Sequence, residues 1–124
     1  MAADAKIIQA PYKTGVYVGE EIDQKGEKTL VKVRAVLKHP KQGDLHNPKQ
    51  VDVPLFHERK ALAEFEKVWV QTDMLRKYDE EPPDYKKSLK HAVEKEKDLL
   101  REKNDEWSQK ALETLETVEN DYKL

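Results

Sequence analysis

Lys28-Thr29-Leu30-Val31-Lys32-Val33-Arg34-Ala35-Val36-Leu37-Lys38-His39 is the stretch on which the fold turns. Val31, Val33, Ala35 and Leu37 fall on one side of an extended chain. Lys32, Arg34 and Lys38 fall on the other, with Leu30 and Val36 among them. Alternation with a period of two is the pattern of a strand with one dry and one wet face. Antiparallel sheets supply such strands, because their second face can stay in water.

Moving toward the N-terminus, Asp23-Gln24-Lys25-Gly26 reads as a turn, with Gly26 free to take a positive φ. Val16, Val18 and, less regularly, Ile22 form a strand before it, with Tyr17 on the opposite face. Lys13-Thr14-Gly15 is a second turn, and Ile7 to Tyr12 a first strand whose Pro11 suits a sheet edge. Toward the C-terminus, Pro40 ends the central strand, and Lys41 to Lys49 form an aperiodic loop holding Gly43, Asn47 and Pro48. Val51 to Phe56 resumes a strand with Pro54 at an edge or bulge. Ala61 to Val70 reads as another, and Asp73 to Tyr78 as one helical turn and a short closing strand. Five or six short strands with short turns predict a small closed, SH3-like antiparallel β-barrel over residues 1–79.

Residues 80–83 include Pro82 and Pro83 and read as a linker. Residues 84–124 then change period. Asp84 stands at an N-cap position, followed by Tyr85, Leu89, Ala92, Val93, Leu99 and Leu100 at helical spacing. Asn104-Asp105 breaks the run. Asp105 can cap a second helix carrying Trp107, Ala111, Leu112, Leu115, Val118 and Tyr122 along one stripe. So short a connection makes the helices antiparallel neighbours. The expected class is α+β: a barrel followed by an α-helical hairpin.

Composition limits what such a chain can do. Its 124 residues hold 23 basic and 25 acidic side chains, a net charge of −2, and no cysteine. Thiol catalysis, thiolate zinc sites, disulfides and a lipidated cysteine are excluded for these residues. Charge is segregated, with five basic residues and no acid from Lys28 to Lys41, and six acids against two lysines from Asp105 to Leu124. Met1-Ala2-Ala3-Asp4-Ala5-Lys6 lacks the basic and apolar regions of a secretion signal. No apolar run reaches the ~18 residues of a membrane span. The expected location is the cytoplasm, with any membrane recruitment left to a partner.

Catalytic motifs are missing from the spacing. Gly19 to Thr29 lacks the Gly-Lys-Ser/Thr order of a phosphate loop, and His57-Glu58 has Ala61 where a zinc-protease helix needs its second His. No nucleophile, base and orienting group can be named together. No metal or other cofactor is expected, since His39, His46, Asp44, His57 and Glu58 match no ligand spacing.

The least ordinary segment is Leu37-Lys38-His39-Pro40-Lys41-Gln42-Gly43-Asp44-Leu45-His46-Asn47-Pro48, polar and framed by prolines. Loops of this kind on small barrels commonly carry recognition, with imidazoles aimed outward. His39, Gln42, Asp44, His46 and Asn47, with His57, Glu58 and Arg59, are the candidate partner-binding residues.

At this loop the sequence resembles the bacterial kinase-associated protein B family. The resembling blocks are Tyr12 to Gly19, Val31 to Pro40, Gln42 to Pro48, and Asp52 to Leu62, with Pro83-Asp84-Tyr85-Lys86 opening the helical part in the same style. The resemblance implies a barrel-like sheet extended by helices. It also implies an accessory role in Bacillus-type bacteria, activating a sporulation sensor histidine kinase that feeds a phosphorelay. It supplies no catalytic residues. The family is often labelled a lipoprotein, a label the absence of cysteine does not fit.

The expectation is therefore a non-enzymatic adaptor that binds a protein, with a sensor histidine kinase as partner and a homodimer as an arrangement the hairpin permits. Against it stands a nucleic-acid-binding barrel, with Lys32, Arg34 and Lys38 on one strand face and Tyr17 stacking bases. The slightly acidic chain does not favour nucleic acid.

Overall fold

The computed structural model describes residues 6–43 and 58–124. Among these residues, five strands form one antiparallel sheet: β1 (Ile7–Tyr12), β2 (Gly15–Lys25), β3 (Lys28–Lys38), β4 (Lys67–Gln71) and β5 (Arg76–Lys77), in the order β4-β3-β2-β1-β5. A 3₁₀ turn (Thr72–Met74) joins the last two, as the sequence suggested for that region. Two helices follow, α1 (Tyr85–Lys103) and α2 (Glu106–Tyr122). The class is α+β.

Several sequence expectations about the sheet need correction. Among the described residues the sheet does not close into a barrel: β4 and β5 lie at its opposite edges, and β5 pairs only Ile8 and Gln9 of β1. Nor is β1 an edge strand. Pro11 is tolerated because the Glu21 N–H to Lys6 carbonyl bond sets the alternation. It turns the Pro11 nitrogen away from β2, beyond the reach of two-residue β5. The expected Val51–Phe56 strand lies outside the described residues. In Ala61 to Val70 only Lys67 onward is strand, since Glu64-Phe65 is a turn.

The turn after β2 is also tighter than Asp23-Gln24-Lys25-Gly26. Asp23 to Lys25 belong to the strand, and only Gly26-Glu27 turn, with Gly26 at φ 59°. β3 alternates as expected at Val31, Val33 and Ala35, all buried, and then slips: Val36 is buried and Leu37 is not. The cause is the register. β3 carries one extra residue between its partners for Val18 and Gly19, and another between those for Val16 and Tyr17. Each bulge bends the strand and re-aims its side chains. The Val36 N–H donates to Ser88 Oγ of α1 (3.0 Å), and Ser88 donates to the Tyr85 carbonyl (2.7 Å). A helix hydroxyl thus satisfies an irregular strand.

That contact draws the hairpin onto the sheet. Leu89, Ala92, Val93 and Leu100 of α1 and Ala111 and Leu115 of α2 share one apolar cluster with Tyr17, Val33 and Val36. Each buried Leu or Val there contributes about 1.5–3 kcal/mol. Leu99, expected on the apolar stripe, points outward instead. Both caps form as the sequence implies: Asp84 accepts from Lys87 N–H and Asp105 from Ser108 N–H. Asn104 ends α1 in the left-handed region, and Lys97 Nζ pairs with Glu119 across the two helices.

Candidate functional site

The candidate residues meet where β3 leaves the sheet. His39 is fully buried, its ring edge-on to Tyr122 at 5.8 Å between centroids. Its Nδ1 lies 2.8 Å from the Pro40 carbonyl, which can only accept, so Nδ1 carries the proton. Nε2 is then an acceptor, taking the Tyr122 hydroxyl proton at 2.8 Å. The same hydroxyl oxygen accepts from Ala61 N–H at 2.8 Å. Burial holds His39 neutral by pushing its pKa below the ordinary 6.5, against a smaller opposing pull from the Pro40 carbonyl.

Gln42, also buried, binds like a piece of strand. Its amide nitrogen donates to the Arg59 carbonyl (2.9 Å) and the Pro40 carbonyl (3.2 Å), and its oxygen accepts from Arg59 N–H (2.8 Å). Arg59 Nε returns to the Gly43 carbonyl at 3.1 Å. Leu62 is held next along the chain. Its N–H donates to Tyr17 Oη (3.3 Å), and its carbonyl accepts from Tyr85 Oη. Burial pushes the Tyr17 pKa up to about 12 and that of Tyr85 higher, so both stay protonated. Tyr17 needs Gly15 beside it, since a Cβ there would lie 2.6 Å from its hydroxyl. Three tyrosines from β2, α1 and α2, with one glutamine, thus clamp residues 59–62 against the end of β3.

This arrangement revises the surface reading. His39 and Gln42 are not aimed outward; both are spent inside the clamp. Arg59 is half-buried and Glu58 exposed, while Asp44, His46, Asn47 and His57 lie outside the described residues. The clamp brings His39, Gln42 and Arg59 together. Beside it lies a cleft of about 230 Å³ lined by residues including Tyr12, Lys13, Thr14, Glu58, Arg59 and Lys60. Lys13 Nζ sits over the Tyr12 ring, and Lys60 Nζ reaches Asp121 at 3.3 Å.

Tyr17 is 2% exposed and buried against the helices, so it offers no platform for bases. Sequence reasoning missed the tyrosine clamp, although Tyr122 closes the α2 stripe and a buried Tyr hydroxyl ordinarily needs a partner. Among the described residues, no group of three or more His, Asp or Glu side chains is placed to hold a metal ion. Among the same residues, no helix is long and apolar enough to cross a membrane.

The family model described as Kinase associated protein B matches residues 12–123. Kinase-associated lipoprotein B of Bacillus subtilis is 48% identical over 116 residues, covering 94% of this chain and 91% of that protein. The X-ray crystal structure of kinase-associated protein B from Bacillus cereus shares 38% identity, with a TM-score of 0.81 over 96% of this chain and 95% of that one. The chain belongs to the kinase-associated protein B family, which points to an accessory role beside a kinase rather than to catalysis.

Proposed function

We infer that this member of the kinase-associated protein B family is an accessory protein that binds a sporulation sensor histidine kinase and raises its output into a phosphorelay, without chemistry of its own. Family membership is the observation that carries the reading. The clamp adds a physical reason. A recognition surface keeps its affinity only if it is pre-organised, and residues 59–62 are fixed by bonds from β2, α1, α2 and Gln42. Glu58, Lys60 and Lys13 rim the neighbouring cleft and supply charge for docking. Asp44, His46, Asn47 and His57 extend the proposed surface along the sequence.

Binding changes a kinase's activity only through unequal affinity for its active and inactive states. The test mixes the purified protein with a detergent-solubilised sensor histidine kinase from a sporulating Bacillus. Both capture and the rate of kinase autophosphorylation are measured. Capture with a faster rate is expected. Replacing Lys13, Glu58 and Lys60 together by Ala should weaken capture about tenfold, as hot-spot residues do. A kinase neither captured nor altered would end the accessory reading. The lipoprotein in the relative's name describes that protein. For this chain, we take membrane contact to come through the kinase.

A further inference from the structure

The sheet face opposite in alternation to Val31 and Val33 carries features that cost stability. The register sets Lys32 of β3 directly against Lys67 of β4, and Lys28 against Lys25 of β2. Like charges in directly opposed positions repel. Glu20 is Lys32's other cross-strand neighbour, but its carboxylate is taken by Arg34 at 3.0 Å. Beside these lysines stand Trp69, 39% exposed, and Phe65, 51% exposed.

Phe65 is held at φ 68°, a conformation that bulky residues rarely adopt. It is the third residue of the turn closed by Glu66 N–H to the Ala63 carbonyl (3.1 Å), a position where positive φ favours glycine. Its own N–H donates to the Val33 carbonyl at 2.7 Å, which ties the turn to β3. The backbone is strained, and the ring it carries, covered in part by Lys32 and Arg34, stays half exposed. Strain of this kind clusters at working surfaces.

We propose that this face, built from Phe65, Trp69, Leu30, Lys25, Lys32 and Lys67, docks an acidic protein segment carrying apolar side chains. The charge argues for carboxylates, which would relieve the lysine repulsion the register imposes. The rings argue for apolar anchors among them. Single-stranded nucleic acid fits less well, because bases stack on open ring faces. Here Lys32 Nζ and the Arg34 guanidinium lie over Phe65, at 5.1 and 5.9 Å, and Lys25 Nζ lies over Trp69 at 5.9 Å. The surface is separate from the cleft at Glu58 and Lys60, and it rests on the accessory reading only in taking the partner to be a protein.

The test titrates the full chain with a short synthetic peptide setting Leu and Phe among Glu and Asp, with its counterpart bearing Lys for each acid, and with oligodeoxythymidylate. The acidic peptide alone should bind, more weakly as salt rises. Phe65→Gly and Lys32→Glu should each weaken it about tenfold, the loss expected of an anchor residue. Lys95→Glu, an equal charge change on exposed α1, should leave it unaltered. Phe65→Gly removes the strain, so a folded variant that no longer binds separates docking from stability; Lys32→Glu provides the same separation independently. No preference for the acidic peptide, or tighter binding of the oligonucleotide, would overturn the proposal. Peptide binding without kinase capture would leave this surface standing and remove the kinase reading. Kinase capture without peptide binding would do the reverse.

Discussion

Tyr122 and Phe65 are both aromatic residues anchored beside β3, and they are used in opposite ways. Tyr122 brings its hydroxyl to a buried histidine and a backbone N–H, and both partners are satisfied through it. Phe65 brings its ring out of the fold, on a backbone bent unfavourably to do so. Around Tyr122 polar groups are spent on holding the chain together, whereas around Phe65 the fold accepts backbone strain and leaves an aromatic ring half exposed. The contrast separates architecture from recognition better than polarity does, because both neighbourhoods are rich in polar residues.

The largest expected effect comes from breaking the closed side. Tyr122→Phe keeps the ring but leaves the His39 Nε2 acceptor and the Ala61 donor unpaired. Each orphaned buried group costs about 1–3 kcal/mol. Chemical denaturation should therefore show a loss of about 2–6 kcal/mol. A loss below about 0.5 kcal/mol, the range of ordinary surface changes, would mean that water replaces the hydroxyl and the clamp is not closed.

A middle-sized effect is expected from acid. His39 is held neutral in the fold, below its ordinary 6.5, so its contribution is complete above that value. As pH falls below 6.5 the unfolded chain takes up a proton that the folded chain refuses, and stability declines until the folded pKa is reached. Glu96 works the other way. Burial raises its pKa above 4.5, so the folded chain binds that proton first and gains stability as pH falls through the raised value. Thermal melts of Glu96→Gln between pH ~7.5 and ~5 should expose the histidine slope without that offset. A flat Tm across this range would show His39 protonating as readily in the fold as in the unfolded chain, and the assignment of a buried neutral imidazole would fall.

The smallest expected effect belongs to the open side. Phe65→Gly exchanges an exposed ring for relief at a positive φ. Its stability should stay within about 1 kcal/mol of the parent, on the stabilising side if strain dominates. A loss of several kcal/mol in a denaturant titration would make Phe65 part of the architecture and erase the contrast.

Much of this molecule was legible in the sequence because local rules and global packing agree. Alternation placed Val31, Val33 and Ala35 inside, and Asp84 and Asp105 announced their caps. Reading failed where one residue answers to something distant. Val36 and Leu37 exchange faces because bulges shift the register against β2, and no alternation pattern reports an extra residue. The Ala63-Glu64-Phe65-Glu66 turn holds no glycine, proline or asparagine to announce it. His39 and Gln42 resemble surface residues in sequence, and the imidazole is received inside by Tyr122, 83 positions from His39. Barrel closure was expected from strand count, but among the described residues a two-residue β5 at the far edge from β4 does not deliver it.

The Gln42 amide has one more consequence. By gripping the Arg59 backbone it joins the stems on either side of residues 44–57 through the body of the fold, independently of the peptide chain that links them. That grip therefore does not depend on the length of the stretch between the two stems. New chain ends placed within it, with the old ones joined elsewhere, should still yield a molecule whose two stems find each other.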